Sequence, residues 1–103
     1  MSGLTIEKSR NNDVLTVSPA GRIDTATSPQ FETDVKSSLE GIMSLVLDFT
    51  KVDYISSSGL RVLLSLHKIM DSKGGKLTVS KPTEMVCEVF EVTGFSDMLN
   101  IEN

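Results

Sequence analysis

Three consecutive serines, Ser56-Ser57-Ser58, stand before Gly59-Leu60, between the apolar run Leu45-Val46-Leu47 and a second apolar stretch that starts at Leu60. Where a strand runs into a helix, serine hydroxyls meet backbone N–H groups that have no intrahelical partner. Those N–H groups and the positive end of the helix dipole also favour an anion. The triplet therefore suits three roles: a helix N-cap, a nucleophile, or a phosphoacceptor.

A serine nucleophile needs a base, and the sequence has one histidine, His67. Ten residues of helix separate it from Ser57, roughly 15 Å along the axis, whereas proton transfer needs about 3 Å. Helical phase puts His67 beside Leu60, Leu63 and Leu64, as expected for a structural, partly buried histidine. Ser57 also lacks the flanking glycines of a nucleophile elbow. Ser65-Leu66-His67-Lys68 fits the Ser-x-x-Lys pattern of penicillin-binding enzymes, without its supporting motifs. Gly74-Gly75-Lys76 hints at a phosphate loop, but the first Walker A glycine would fall at Met70, and Leu77 follows the lysine. A helix-to-strand turn is the simpler reading. Cys87, the only cysteine, excludes an internal disulfide or a multi-cysteine metal site; set in an amphipathic helix with no basic neighbour, it is expected to be inert. No catalytic residue, cofactor or metal is expected.

Four carboxylates complete the list of candidates. Asp13 belongs to a turn and Asp53 reads as a solvated loop residue. Asp24 and Asp48 each close a strand, so two readings stand for them: capping of loops and of the first helix, or an approach to the serines from one edge of the sheet, the usual functional edge of an α/β fold.

A chain of 103 residues with 39% hydrophobic and 23% charged residues is expected to form one soluble domain spanning 1–103. Its net charge of −4, with basic residues scattered, gives no electrostatic footprint for nucleic acid or an anionic membrane. Proteins or small molecules are the expected partners. No apolar run approaches the roughly 18–20 residues of a membrane span. Met1-Ser2-Gly3 begins neither a myristoylation motif nor a leader, and a cytoplasmic protein is expected.

The elements that position these residues follow from pattern. Leu4–Lys8 and the stretch around Leu15–Val17 alternate about Asn11-Asn12-Asp13, a hairpin signal, and the second strand runs on to Ile23. Ser28 as N-cap and Pro29 as first helical residue open a helix whose apolar stripe is Phe31, Val35, Leu39 and Ile42, with Gly41 as its stop. Ser44–Phe49 reads as a buried central strand leading directly into the serine loop. From Gly59 to Ser72 only Arg61, Ser65, Lys68 and Ser72 share a narrow polar arc, which marks a central helix. Leu77–Ser80 is the next strand. Pro82 opens a third helix with Val86, Val89, Phe90 and Thr93 inward and Glu84, Glu88 and Glu91 outward, closed by Gly94. An edge strand is expected at Met98–Ile101. Parallel crossovers after an antiparallel hairpin give an α/β fold with a mixed β-sheet and α-helices mainly on one face.

Gly21-Arg22-Ile23-Asp24-Thr25-Ala26, then Leu47-Asp48-Phe49 through Val52-Asp53-Tyr54-Ile55-Ser56-Ser57-Ser58-Gly59-Leu60, then Val89-Phe90-Glu91-Val92-Thr93-Gly94-Phe95 resemble three signatures of the STAS domain. The resemblance is greatest to stand-alone bacterial anti-sigma factor antagonists. It implies a non-enzymatic switch: the unphosphorylated protein binds an anti-sigma factor, a serine kinase with the histidine-kinase-like ATPase fold, and so frees a sigma factor. Phosphorylation of a serine in Asp-Ser-Ser/Thr-Gly-Leu breaks that complex, and a metal-dependent serine phosphatase resets it. By position the acceptor is Ser57, with Ser56 as the alternative, and Asp24 matches an aspartate near the kinase contact. The implied docking surface comprises Asp24, Ser56, Ser57, Ser58, Gly59 and Arg61, with Arg61 either contacting partner or phosphate or simply solvated. The family's aspartate before the acceptor is Ser56 here. Direct contact with nucleic acid or membrane is not implied, and the free protein is expected to be a monomer. Two other readings remain: a STAS scaffold that is never phosphorylated, in a stress-sensing assembly or a lipid transporter, and a small hydrolase using Ser57.

Overall fold

The computed structural model describes residues 3–103. Met1 and Ser2, part of the N-terminal stretch read above for a leader, lie outside the described residues. Strands β1 (Leu4–Asn11) and β2 (Val14–Ile23) form the expected antiparallel hairpin, turned by Asn12 at φ 57° and Asp13. Helix α1 (Ser28–Lys36), β3 (Ser44–Asp48), β4 (Lys51–Ile55), α2 (Ser57–Ser72), β5 (Lys76–Ser80), α3 (Glu84–Thr93), the single turn α4 (Phe95–Met98) and β6 (Asn100–Glu102) follow. Sheet order is β1-β2-β3-β5-β6, with every pairing after the hairpin parallel.

β4 is the element that sequence pattern misses: Lys51–Ile55 reads as loop and is a strand. The ten residues of β2 serve two partners in series: Val14–Val17 pair with β3, and Ala20–Ile23 pair with β4. The register shifts between Gly21 and Arg22, where a bulge re-aims the strand. Gly21 tolerates no side chain, because its φ is +116° and a Cβ would stand 2.1 Å from the Gly3 carbonyl oxygen. Asp53 accordingly lies on a strand rather than in a loop, although it is exposed as expected.

The in-register residues Leu15, Leu45 and Leu77, and likewise Val17, Leu47 and Val79, share one buried face of the sheet. With Phe31, Phe49, Leu63, Leu66, Met70 and Phe90 they form one continuous hydrophobic core. Burying each of these large side chains contributes about 1.5–3 kcal/mol. The alternate positions Thr16, Ser18 and Val46 on the other face are only half-buried.

Three further expectations need correction. Helix α1 starts one residue early, with Thr27 rather than Ser28 at the N-cap, and ends at Lys36 rather than near Gly41. The hydroxyls of Ser37 and Ser38 donate to the Asp34 carbonyl (3.1 and 3.0 Å), which satisfies the helix end locally, and Lys8 Nζ reaches the Ser38 hydroxyl at 2.9 Å. Leu39 and Ile42 stay buried, from irregular chain. Thr93, expected inward, is exposed and bonds back to the Val89 carbonyl at 2.7 Å. The edge strand is confined to residues 100–102 because Phe95–Met98 form a helical turn.

Candidate functional site

β2 and β4 run parallel and end together, Ile23 opposite Ile55, so the two chains leaving them emerge at one edge of the sheet. The Ser56 N–H donates to the Ile23 carbonyl at 2.8 Å, extending the pairing by one bond into the serine turn. Helix α2 then begins. Ser56 is its N-cap, extended in backbone (φ −92°, ψ 176°), with its hydroxyl accepting from the Gly59 N–H at 3.3 Å and its carbonyl from the Leu60 N–H at 2.9 Å.

Gly59 is fixed by space rather than by backbone angle. A Cβ there would lie 2.7 Å from Ile55 Cγ1 and 2.8 Å from Ile23 Cγ2. Only glycine lets the first turn of α2 rest on the ends of both strands, and the buried Leu60 then carries the helix into the core.

The three serines differ in what they do. Ser56 is half-buried and spends its hydroxyl on the cap. Ser58 is half-buried, 3.4 Å from the Thr25 hydroxyl. Ser57, first residue of the helix, is exposed, and its hydroxyl has no hydrogen-bond partner among the described residues. Arg61 follows four residues later on the same helical face, also exposed. Together with Thr25, Ser28, Pro29 and Glu32, Ser58 and Arg61 line a shallow hollow between the starts of α1 and α2.

Asp24 stands beside this turn but is occupied in shaping its own loop. Its Oδ1 accepts from the N–H groups of Ala26 (3.0 Å) and Thr27 (3.1 Å), and its Oδ2 lies 3.6 Å from Arg22 Nε. These bonds, that from the Thr27 N–H foremost, hold its carboxyl below the usual carboxylate range against the opposing effect of desolvation. Both readings of Asp24 therefore meet at one residue: it caps, and it sits at the edge where the serines emerge. Asp48 does not join it. Its carboxylate closes the turn into β4 through the Thr50 hydroxyl and the Thr50 N–H, which lower its pKa, and β4 lies between it and the serines. Asp13 lies in the hairpin turn, its carbonyl taking the N–H groups of Met43 and Ser44.

Two neighbours of the site escaped sequence reasoning. The Arg22 guanidinium lies 4.5 Å from the Tyr54 ring centroid while facing Asp24, a cation–π contact that orders the approach to the loop. The pairing of Arg22 with Tyr54 is a consequence of β4, and without that strand no local signal connects them. His67 is half-buried and lines a separate hollow with Asp71, Lys76 and Asn100, away from the serines. Among the described residues no group of His, Cys, Asp and Glu could hold a metal ion, and no helix is long and apolar enough to cross a membrane.

A family model for the STAS domain matches residues 5–103. This chain belongs to the STAS domain family. It is 33% identical over 98 residues to an anti-sigma-B factor antagonist of Listeria monocytogenes, a match covering 93% of this chain and 85% of that one. Its fold is shared with the Bacillus cell-fate determinant SpoIIAA. Against the unphosphorylated form of that anti-sigma factor antagonist the TM-score is 0.83 at 14% identity, over 96% of this chain and 89% of the other. Against the phosphorylated form the TM-score is 0.75 at 13% identity, over 96% and 92%. Two of the three stretches that resemble STAS signatures build the site, the β2 end with Asp24 and the β3-β4-serine segment, while the third closes α3.

Proposed function

We propose that this chain is an anti-sigma factor antagonist that works by partner switching. Unphosphorylated, it docks on a serine-kinase anti-sigma factor through the edge formed by Asp24, Ser56, Ser57, Ser58, Gly59 and Arg61, and a sigma factor is released. Phosphorylation of Ser57 ends the interaction, and a serine phosphatase restores it. The observation that carries the reading is the exposed and unengaged hydroxyl of Ser57 between two serines that are spoken for. Ser56 is the poorer acceptor, because its hydroxyl is half-buried and already accepts from the Gly59 N–H.

The chemistry of the switch follows from the place. Phosphorylation adds a charge of about −1.5 to −2 at a helix N-terminus, where N–H groups and the dipole stabilise it. Arg61, one turn further on the same face, is within the reach of an i,i+4 pair. The fold therefore tolerates the phosphate, while added charge and bulk change what the surface accepts. Ser56 keeps the cap that the family's aspartate can also supply, but without its negative charge.

The test is calorimetric titration of the anti-sigma kinase of the same genome. Wild type and Ser57→Ala are expected to bind alike, and Ser57→Asp at least about tenfold more weakly, equivalent to about 1.4 kcal/mol, with an unchanged melting temperature. Equal binding by Ser57→Asp, or no binding by wild type, would contradict the proposal.

A further inference from the structure

Helix α3 carries an apolar surface that the core does not use. Val86 and Phe90 are buried, yet Met85 is 52% exposed and Val92 87% exposed. At 100° per residue, Met85, Val89 and Val92 fall within an arc of about 60° beside the buried face. Glu84, Glu88 and Glu91 occupy the next arc, and Glu84–Thr93 contains no basic residue. Met85, Glu88, Val89, Val92 and Thr93 line an open, shallow hollow of about 250 Å³. The surface is thus an apolar stripe bordered by a ridge of three carboxylates, remote in composition from the hydroxyl-rich edge at Ser57.

We infer that this face of α3 is a second docking surface, for a basic amphipathic helix of a partner protein. The apolar arc offers the i, i+4, i+7 positions that receive a helix lying alongside. A methionine on the stripe adapts to varied side chains. Charge complementarity selects the occupant. Two copies of this chain packed antiparallel across α3 would set like carboxylate ridges side by side, and two chains of net charge −4 repel each other in either orientation. An anionic lipid surface would be repelled in the same way. A helix with leucines flanked by lysines or arginines satisfies both halves of the surface.

The probe is a synthetic amphipathic helical peptide of about five turns, with a leucine stripe bordered by lysines, added to the full chain while backbone amide resonances are followed. A peptide of the same composition in shuffled order and one with glutamates for lysines serve as controls. Shifts are expected at residues 85–93, with affinity falling at least about tenfold in Met85→Ser/Val92→Ser and again in Glu84→Gln/Glu88→Gln/Glu91→Gln. These exposed substitutions are expected to leave the melting temperature unchanged. No binding, equal binding of either control, shifts centred outside α3, or self-association abolished by Met85→Ser/Val92→Ser would overturn the inference.

Discussion

Two helices leave the same edge of the sheet, and their first turns are built from the same kinds of residue to opposite effect. At α1, Asp24, Thr27 and Ser28 satisfy one another: the Thr27 hydroxyl accepts from the Asp24 N–H (2.9 Å) and donates to the Arg22 carbonyl (2.8 Å), and the Ser28 hydroxyl donates to the Asp24 carbonyl. Thr27 and Ser28 are buried. At α2, Ser56 alone performs the capping, Ser58 leans towards Thr25, and Ser57 faces solvent. A first turn whose hydroxyls are all engaged is a structural device. One that leaves a hydroxyl over can be modified without loss of the fold.

Substitutions can break this contrast in graded steps. The largest effect is expected where α2 touches both strands: Gly59→Val forces a branched side chain against Ile23 and Ile55 and costs about 3 kcal/mol, measured by urea unfolding. Thr27→Val leaves the Asp24 N–H and the Arg22 carbonyl without their partner and costs about 2 kcal/mol. If it cost nothing, the start of α1 would not be locked. Ser56→Ala removes one cap bond, for about 1 kcal/mol. Ser57→Ala, in the same denaturation series, stays within about 0.5 kcal/mol of wild type; a larger loss would show that Ser57 also holds the fold.

Acid sharpens the contrast from the carboxylate side. The folded-state pKa values of Asp24 and Asp48 both lie below the ordinary value, so their contribution is complete above the ordinary carboxylate range and is lost as pH falls through the lowered values. Thermal melts of Asp24→Asn and Asp48→Asn are expected to lie below wild type at neutral pH and to converge on it in acid. A gap that persists unchanged in acid would mean that the side-chain charge is not what stabilises these turns.

The parts of the fold that were legible in sequence are those with one strong local period. The hairpin follows from alternation about Asn12-Asp13, and α2 from its narrow polar arc. β4 was not legible, because Lys51–Ile55 is short, only Phe49 and Thr50 separate it from β3, and its partner is the second half of a strand already paired. The misplacement of Asp48 follows from the same omission: without β4, β3 reads as running directly into the serines. The spacing of Leu39 and Ile42 continued the pattern of α1 although Ser37 and Ser38 had ended the helix, because irregular chain can bury the same face. That Asp24 ends a strand was readable, but its juxtaposition with the serine turn rests on the pairing of β2 with β4, the strand that sequence pattern missed. Which serine is free was not readable either, for it depends on the hydrogen bonds that occupy the other two.

That last distinction is open to one direct measurement. Incubated with the anti-sigma kinase of the same genome and ATP, the wild-type chain is expected to gain the mass of one phosphate, located in the peptide at Ser57, while Ser57→Ala gains none and Ser56→Ala still gains it. No phosphate on the wild type, or an equal gain by Ser57→Ala, would contradict the assignment of the exposed serine as the switch.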